Sequence, residues 1–195
     1  MRIAGGEFRG RVLAAPKGLD VRPTQDRVRE ALFSMLQGEI QGARFLDLFA
    51  GSGGVGLEAL SRGAESVTFV ESSPRSFACI TRNIATLKVE SRCRTIRADV
   101  YAWIGGSVAD GFDIAYADPP YAEGAAHGYA DMLAQLAANG IVRPGGLFIA
   151  EMRHSQTPDS SDGWELCRDR TYGQTRIAVY RHLSLSHRSP FTTCS

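Results

Sequence analysis

The chain has 195 residues, 44% hydrophobic and 22% charged, with a formal net charge of +1. That is the composition of one ordinary globular domain, and it excludes a disordered chain, a collagen-like repeat and a continuous coiled coil. No run approaches the roughly 18 consecutive apolar residues of a membrane span. The start, Met1-Arg2-Ile3-Ala4-Gly5-Gly6-Glu7, lacks the apolar stretch of a secretion signal, so a cytoplasmic protein without a membrane partner is expected. Cys79, Cys93, Cys167 and Cys194 lie far apart with no Cys-x-x-Cys pair, which predicts reduced thiols and no metal site. Charge is uneven along the chain: residues 1–30 carry +3, 31–94 carry +1, 95–165 carry −7 and 166–195 carry +4. Basic ends around an acidic body suit a face that meets a polyanion, although scattered solvated arginines would give the same tally.

In chain order, the arginine-rich run Arg2–Val12 with its Gly-Gly signal reads as a short hairpin or arm, the core of a basic appendage over residues 1–23. Thr24 is placed to cap a helix whose apolar positions Val28, Ala31, Leu32 and Met35 recur at helical spacing up to Gly38, leaving Arg27, Arg29 and Glu30 outside the core. The body, residues 24–183, then alternates strands and helices. Strands are predicted at Arg44–Phe49, Ser66–Val70, Thr95–Ala98, Phe112–Ala117 and Leu147–Glu151. Between them come a helix at Gly54–Ser61, one capped by Ser73 with Pro74 at its first position and an inward stripe Phe77, Ile80, Thr81, Ile84 and Leu87, and one at Tyr129–Asn139. The last pair, Glu165–Arg168 and Gln174–Arg181 around Tyr172-Gly173, reads as an antiparallel hairpin at the sheet edge. The fold expected is α/β: a doubly wound, mostly parallel seven-stranded sheet of the Rossmann-like type. The tail from Ser184 to Ser195 is expected to be disordered.

Phe49-Ala50-Gly51-Ser52-Gly53-Gly54-Val55-Gly56 follows the first strand and opens a helix, so Gly51, Gly53 and Gly56 fit the G-x-G-x-x-G spacing of nucleotide-binding loops. Glu71, twenty residues after Gly51, stands at the tip of the second strand, where a carboxylate can accept two ribose hydroxyls. A glycine turn beside a surface Glu is the plainer alternative. Asp47 lies in the strand close to where a dinucleotide's phosphates would rest, and a carboxylate there favours a cationic ligand. S-adenosylmethionine, with an ammonium, a sulfonium and no phosphate, fits better than NAD. Asp99, after the third strand, is placed either to accept from an adenine amino group or to cap a helix.

Asp118-Pro119-Pro120-Tyr121 ends the fourth strand, where open α/β sheets hold their ligands. The prolines remove two N–H donors and stiffen the loop, so carbonyls and the Asp118 carboxylate converge as acceptors for an amino group. Tyr121 offers a face on which a flipped-out base can lie. A strand ending in a Pro-Pro turn with a buried aromatic is the structural alternative.

Together, the glycine loop and the Asp-Pro-Pro-Tyr tetrapeptide resemble the S-adenosylmethionine-dependent methyltransferases that modify exocyclic amino groups of nucleic-acid bases. Four longer segments, Arg22–Phe33, Leu46–Gly53, Gly56–Gly63 and Tyr172–Thr175, resemble the bacterial RsmD family, which methylates N2 of one guanine in 16S ribosomal RNA. The resemblance spans about Arg2 to Arg181. It implies that Asp47, Gly51 and Gly53 line the methionine end of the cofactor, Glu71 the ribose and Asp99 the adenine, with Phe49, Ala50, Ser72 and Val100 completing that site. It implies further that Asp118, Pro119, Pro120 and Tyr121 hold the target guanine in an orienting role, and that Arg9, Arg11, Arg22, Thr24 and Arg27 contact the RNA. The implied partner is 16S ribosomal RNA within a small-subunit assembly, met by a monomer. Gly6-Glu7-Phe8 stands where the family often has lysine and tryptophan, and Gln25 where a second threonine is common. The remaining alternatives are an adenine-N6 methyltransferase of DNA or RNA, an NAD-dependent oxidoreductase, and a non-catalytic RNA-binding module.

Overall fold

A computed structural model describes residues 1–16, 23–106, 111–120 and 128–184. Arg22, Tyr121 and the tail from residue 185 lie outside the described residues, as does the side chain of Thr24. Seven strands, β1 (Arg44–Leu48), β2 (Ser66–Val70), β3 (Cys93–Ile96), β4 (Phe112–Ala117), β5 (Val142–Arg153), β6 (Trp164–Tyr172) and β7 (Thr175–His182), form one sheet in the order β3-β2-β1-β4-β5-β7-β6. Strands β1 to β5 pair in parallel and β7 runs antiparallel to both β5 and β6, so the Rossmann-like sheet with its terminal hairpin is the fold.

Helices α1 (Pro23–Met35), α2 (Gly54–Ser61) and α3 (Pro74–Leu87) cover one face, packing against Phe45, Val67, Phe69, Ile114 and Ile149. Helices α4 (Val100–Gly106) and α5 (Tyr129–Ala138) cover the other, against Leu46, Leu48, Ala115 and Phe148. The near-continuous apolar strands follow from this double cover. Chain order runs outward from β1 to β3 and then returns to β4 on β1's other side, so the gap between the tips of β1 and β4 is the topological switch point.

Several boundaries differ from the sequence expectation. Strand β3 starts at Cys93 because its parallel register sets Val67 against Cys93 and Val70 against Ile96. Strand β5 starts at Val142, not Leu147. Its pairing with β4 slips between Phe112 and Ile114, so a polar irregular stretch precedes the buried run that periodicity detects. Helix α1 includes Pro23, so Thr24 sits inside its first turn rather than at its cap, the place proline's fixed φ favours. Thr81 is exposed, its hydroxyl donating back to Phe77 O, and Asn83 takes the inward position instead. Asn83 ties three pieces together: it accepts from Ala14 N at 2.7 Å and donates to Ala14 O and Ser52 O.

Arg29, expected outside the core, is only 6% exposed. Its partner explains the difference. Glu58 sits in the short buried helix α2 at 0% exposure, and its carboxylate accepts from Ala4 N and Gly5 N of the arm, each at 2.8 Å, and from Arg62 Nε at 2.8 Å. Arg29 Nε approaches the same carboxylate at 3.4 Å, while its Nη2 donates to Arg2 O and Asp26. The arm, whose ends meet in an antiparallel bridge between Arg2 and Val12, thus presses Ile3 and Leu13 into the core through a buried ion network. Removing Glu58 breaks a buried ion pair and leaves Arg29 only the more exposed Asp26, a loss of about 3–5 kcal/mol. Glu58→Ala is expected to lower unfolding free energy by that amount in denaturant titration and to abolish hydrogen-exchange protection of the Ala4 and Gly5 amides.

Candidate active site at the switch point

Strand β1 ends at Leu48, and Phe49 turns the chain with φ of 58°, a left-handed conformation rare for an aromatic residue. Its ring packs edge-on to Tyr101 at 5.7 Å. Gly51 (φ +56°) and Gly53 (φ +81°) continue the loop, and a Cβ on Gly51 would meet nothing within 4 Å, so that stretch of backbone stands open. Gly56 is required for a different reason: a Cβ there would lie 2.4 Å from the Phe69 ring, so glycine lets α2 close onto β2. The loop is held from two sides. Glu71, at the tip of β2, accepts from Gly51 N and Ser73 N, both at 2.7 Å. Asp47 accepts from Gly56 N at 2.8 Å, joining β1 to the first turn of α2.

Asp47, Phe49, Ala50, Gly51 and Ser52 share a cavity of about 280 Å³ with Tyr116, Asp118 and Glu151. The register sets Asp47 of β1 beside Tyr116 of β4, and Ala117 of β4 beside Ala150 of β5, so Asp118 and Glu151 follow as neighbours just past the last β4–β5 pair. Arg29 and Leu32 of α1 and Ala15 and Pro16 of the arm complete the wall. Burial pushes the Asp47 carboxyl up to about 7, helped by the charge of Glu71 and opposed by the Gly56 N–H. Burial likewise raises Asp118 well above the ordinary carboxylate range, with the charges of Glu151 and Asp47 adding to it. Glu151 is raised by burial and held back by the hydrogen bond from Tyr116, whose hydroxyl donates to Oε2 at 2.6 Å. Among the described residues no group of three or more His, Cys, Asp or Glu side chains is arranged to hold a metal, and no helix is long and apolar enough to cross a membrane.

The sequence-predicted residues divide into groups. Asp47, Phe49, Ala50, Gly51 and Asp118 meet in the one cavity, with Gly53 in the same loop and Pro119 and Pro120 following Asp118. Glu71 is joined to the loop through Gly51, with Ser72 exposed beside it. Asp99 and Val100 stand farther along the same edge; Asp99 accepts from Ala102 N at 2.9 Å and so caps α4. Arg9, Arg11 and Arg27 are exposed, the first two on the arm and the third on α1. Glu151, Tyr116 and Arg29 were not singled out from sequence. A carboxylate closing the apolar run Leu147–Ala150, as Asp118 closes Phe112–Ala117, is the signal that could have found Glu151.

A Rossmann-like sheet whose glycine loop shares a cavity with the Asp118 carboxylate at the switch point is the arrangement of the methyltransferase class of this fold. A family model described as conserved hypothetical protein 95 matches residues 1–181. The chain is 34% identical over 184 residues to the putative rRNA methyltransferase YlbH of Bacillus subtilis, covering 93% of this chain and 98% of that protein. It is also 34% identical to ribosomal RNA small subunit methyltransferase D of Escherichia coli, over 93% of this chain and 89% of the relative. The solved structure of the putative methyltransferase yhhF from Escherichia coli superposes with a TM-score of 0.83 at 35% identity, covering 94% of this chain and 98% of the other. That of the putative methylase HI0767 from Haemophilus influenzae gives 0.77 at 30%, with the same coverage. The chain belongs to the RsmD family.

Because Asp47 is raised from 3.8 to about 7, the folded chain retains a proton that the unfolded chain releases over that interval. The resulting destabilisation is absent below pH 4 and complete above pH 7. Asp47→Asn keeps an oxygen for Gly56 N–H. It is expected to raise Tm by roughly 5 °C or more at pH 8 and to leave it unchanged at pH 4, as read by calorimetry at the two pH values.

Proposed function

We propose that the chain transfers a methyl group from S-adenosylmethionine to the exocyclic N2 amino group of a guanine in small-subunit ribosomal RNA, within a partly assembled subunit. The observation that carries this reading is the shared cavity: the open glycine loop of β1 and the Asp118 carboxylate of β4 face one another inside it. Membership in the RsmD family supports the RNA substrate, since the Escherichia coli relative is named a small subunit ribosomal RNA methyltransferase.

The chain's own chemistry fits the cofactor. Three carboxylates, Asp47, Asp118 and Glu151, line the cavity and suit a ligand with cationic nitrogen and sulfur. Gly51 leaves its backbone open to close approach, and Glu71 lies beside it with a second lone pair on each oxygen for ribose hydroxyls. Asp99 remains exposed while capping α4, so its second oxygen is available to an adenine amino group. S-adenosylmethionine supplies an electrophilic methyl group on a sulfonium.

Guanine N2 is a weak nucleophile because its lone pair is delocalised into the ring. The Asp118 carboxylate and the Pro119 carbonyl accept from its N–H groups, draw the nitrogen toward tetrahedral geometry and stabilise the charge it gains. Orientation and electrostatics in a partly dry site supply the rate. The two prolines keep those acceptors fixed, and Tyr121 supplies the stacking face for the unstacked base. Arg9 and Arg11 of the arm and Arg27 of α1 grip the surrounding RNA by phosphates.

Asp118→Ala is expected to lower methyl transfer to undermethylated small subunits by at least about 10²-fold, with S-adenosylmethionine affinity by calorimetry within a few-fold of wild type. Mapping of the labelled base separates guanine N2 from adenine N6, and a parallel titration with NADH is expected to show no binding. For the RNA grip, the Arg9→Ala/Arg11→Ala pair is expected to flatten the slope of log affinity against log salt by about 1 to 2; an unchanged slope assigns the phosphate contacts elsewhere.

A further inference from the structure

The proposed reaction releases a proton, and of the carboxylates lining the acidic cavity one is placed to take it. Asp47 is committed to Gly56 N, and Glu71, outside the cavity, to Gly51 N and Ser73 N. Asp118 accepts no hydrogen bond from any described residue and is taken up with the amine. Glu151 stands beside it on β5, one residue past the last β4–β5 pair, lining the same space. Two tyrosines hold Glu151 in place. Tyr116 donates its hydroxyl to Oε2 at 2.6 Å, and Tyr129 of α5 donates to the Glu151 backbone carbonyl at 2.5 Å. Oε1 receives no donor among the described residues. A carboxylate fixed at both main chain and side chain, with one oxygen left toward a cavity, is arranged to act on what enters that cavity.

Resting on the methyl-transfer reading above, we propose that Glu151 is the proton acceptor of the reaction, with Tyr116 as its positioning residue. As the guanine nitrogen bonds to the methyl carbon, the bond from that carbon to sulfur breaks and takes its electron pair to sulfur, which leaves as a neutral thioether. The nitrogen is then positive and must lose one proton. Asp118 holds the amine through its N–H groups, and Glu151 takes the proton and returns it to water as product departs. No further reactant is needed.

Burial raises both Asp118 and Glu151, so position divides their labour: Asp118 is taken up with the amine, while Glu151 is held by Tyr116 and Tyr129 beside it. An ordinary carboxylate near pKa ~4 is a weak base, and efficient proton transfer calls for a group nearer the working pH. Glu151 is moved in that direction by burial, with the Tyr116 hydroxyl restraining the rise. The charged and titratable groups around it are Asp118 and Tyr116 of β4, Asp47 of β1, Arg29 of α1 and Tyr129 of α5. The Arg29 guanidinium is already engaged by Asp26 and Glu58, and across the β5–β7 pair the neighbour of Glu151 is apolar Ile177.

The test uses full-length protein, S-adenosylmethionine and small ribosomal subunits lacking the modification. Glu151→Gln keeps an oxygen for the Tyr116 hydroxyl, so a purely structural carboxylate would be replaced without loss. Expected instead is a fall in kcat of about 10²-fold or more, with cofactor Kd by calorimetry within three-fold and the acid limb of the kcat–pH profile removed. Glu151→Asp is expected to recover at least ten-fold over the Gln variant. Tyr116→Phe, which deletes the hydrogen bond favouring the charged form, is expected to move the acid limb to higher pH. Unchanged kcat and pH profile in Glu151→Gln overturns the proposal. So does a loss that appears chiefly as weaker cofactor binding, which would make Glu151 a partner of the cofactor's ammonium. If wild type itself transfers no methyl group to guanine N2, the function reading fails and this inference with it; a competent wild type beside an equally competent Glu151→Gln sinks the inference alone.

Discussion

The buried carboxylate of Asp47 is the constraint on which the site depends. It lies at 1% exposure between β1, the first turn of α2 and the cavity, and its one hydrogen bond from the described chain is the Gly56 N–H. Burying a carboxylate this deeply opposes folding, as its upward shift to about 7 records. The same contact anchors the far end of the glycine loop, so a group unfavourable for stability also sets the loop's shape. A cationic ligand would supply the counter-charge that the fold withholds. Local strain at Phe49 belongs to the same pattern, in which function is assembled from features that a purely stable fold would avoid.

The arm matters to this site more than its position at the chain's start suggests. Glu58 of α2 gathers the Ala4 and Gly5 amides, Arg62 and Arg29, and Arg29 in turn lines the cavity. Asn83 of α3 bridges Ala14 of the arm to Ser52 of the glycine loop. Ala15 and Pro16 therefore form part of the cavity wall, while Arg9 and Arg11 are exposed at the surface. The arm thus shapes the cavity on its inner side, through hydrogen bonds to its first residues, and carries exposed arginines on its outer side.

Much of the fold was legible because double-sided burial leaves a strong mark. The apolar runs at 45–48, 67–70 and 112–117 and the helical stripe Ile80, Ile84 and Leu87 emerge from spacing alone. Glycine at 51, 53 and 56 predicted a loop opening a helix; Gly51 and Gly53 take left-handed backbone, and Gly56 leaves room for the Phe69 ring. Legibility failed where a tertiary partner overruled local pattern. Arg29 reads as a surface residue until Glu58 appears beside it, and Glu58 reads as an intruder in an apolar helix until the arm's amides do. Thr81 fits the inward stripe, but a hydroxyl that can bond Phe77 O faces water, and Asn83 goes inward because the arm and the loop both need its amide.

By itself the sequence determined the periods of its strands and helices, the places where glycine or proline limits the backbone, and the residues able to accept protons or amines. Those are properties of neighbours along the chain, and short-range sterics and solvation decide them. Only the tertiary structure decided that Asp47, Asp118 and Glu151, separated by 71 and then 33 positions, share one cavity. Parallel pairing aligns the carboxyl ends of β1, β4 and β5, and the reversal of strand order opens the space between them. Their proton affinities are set by that shared enclosure, where low polarity and mutual repulsion act together, and no stretch of sequence contains it.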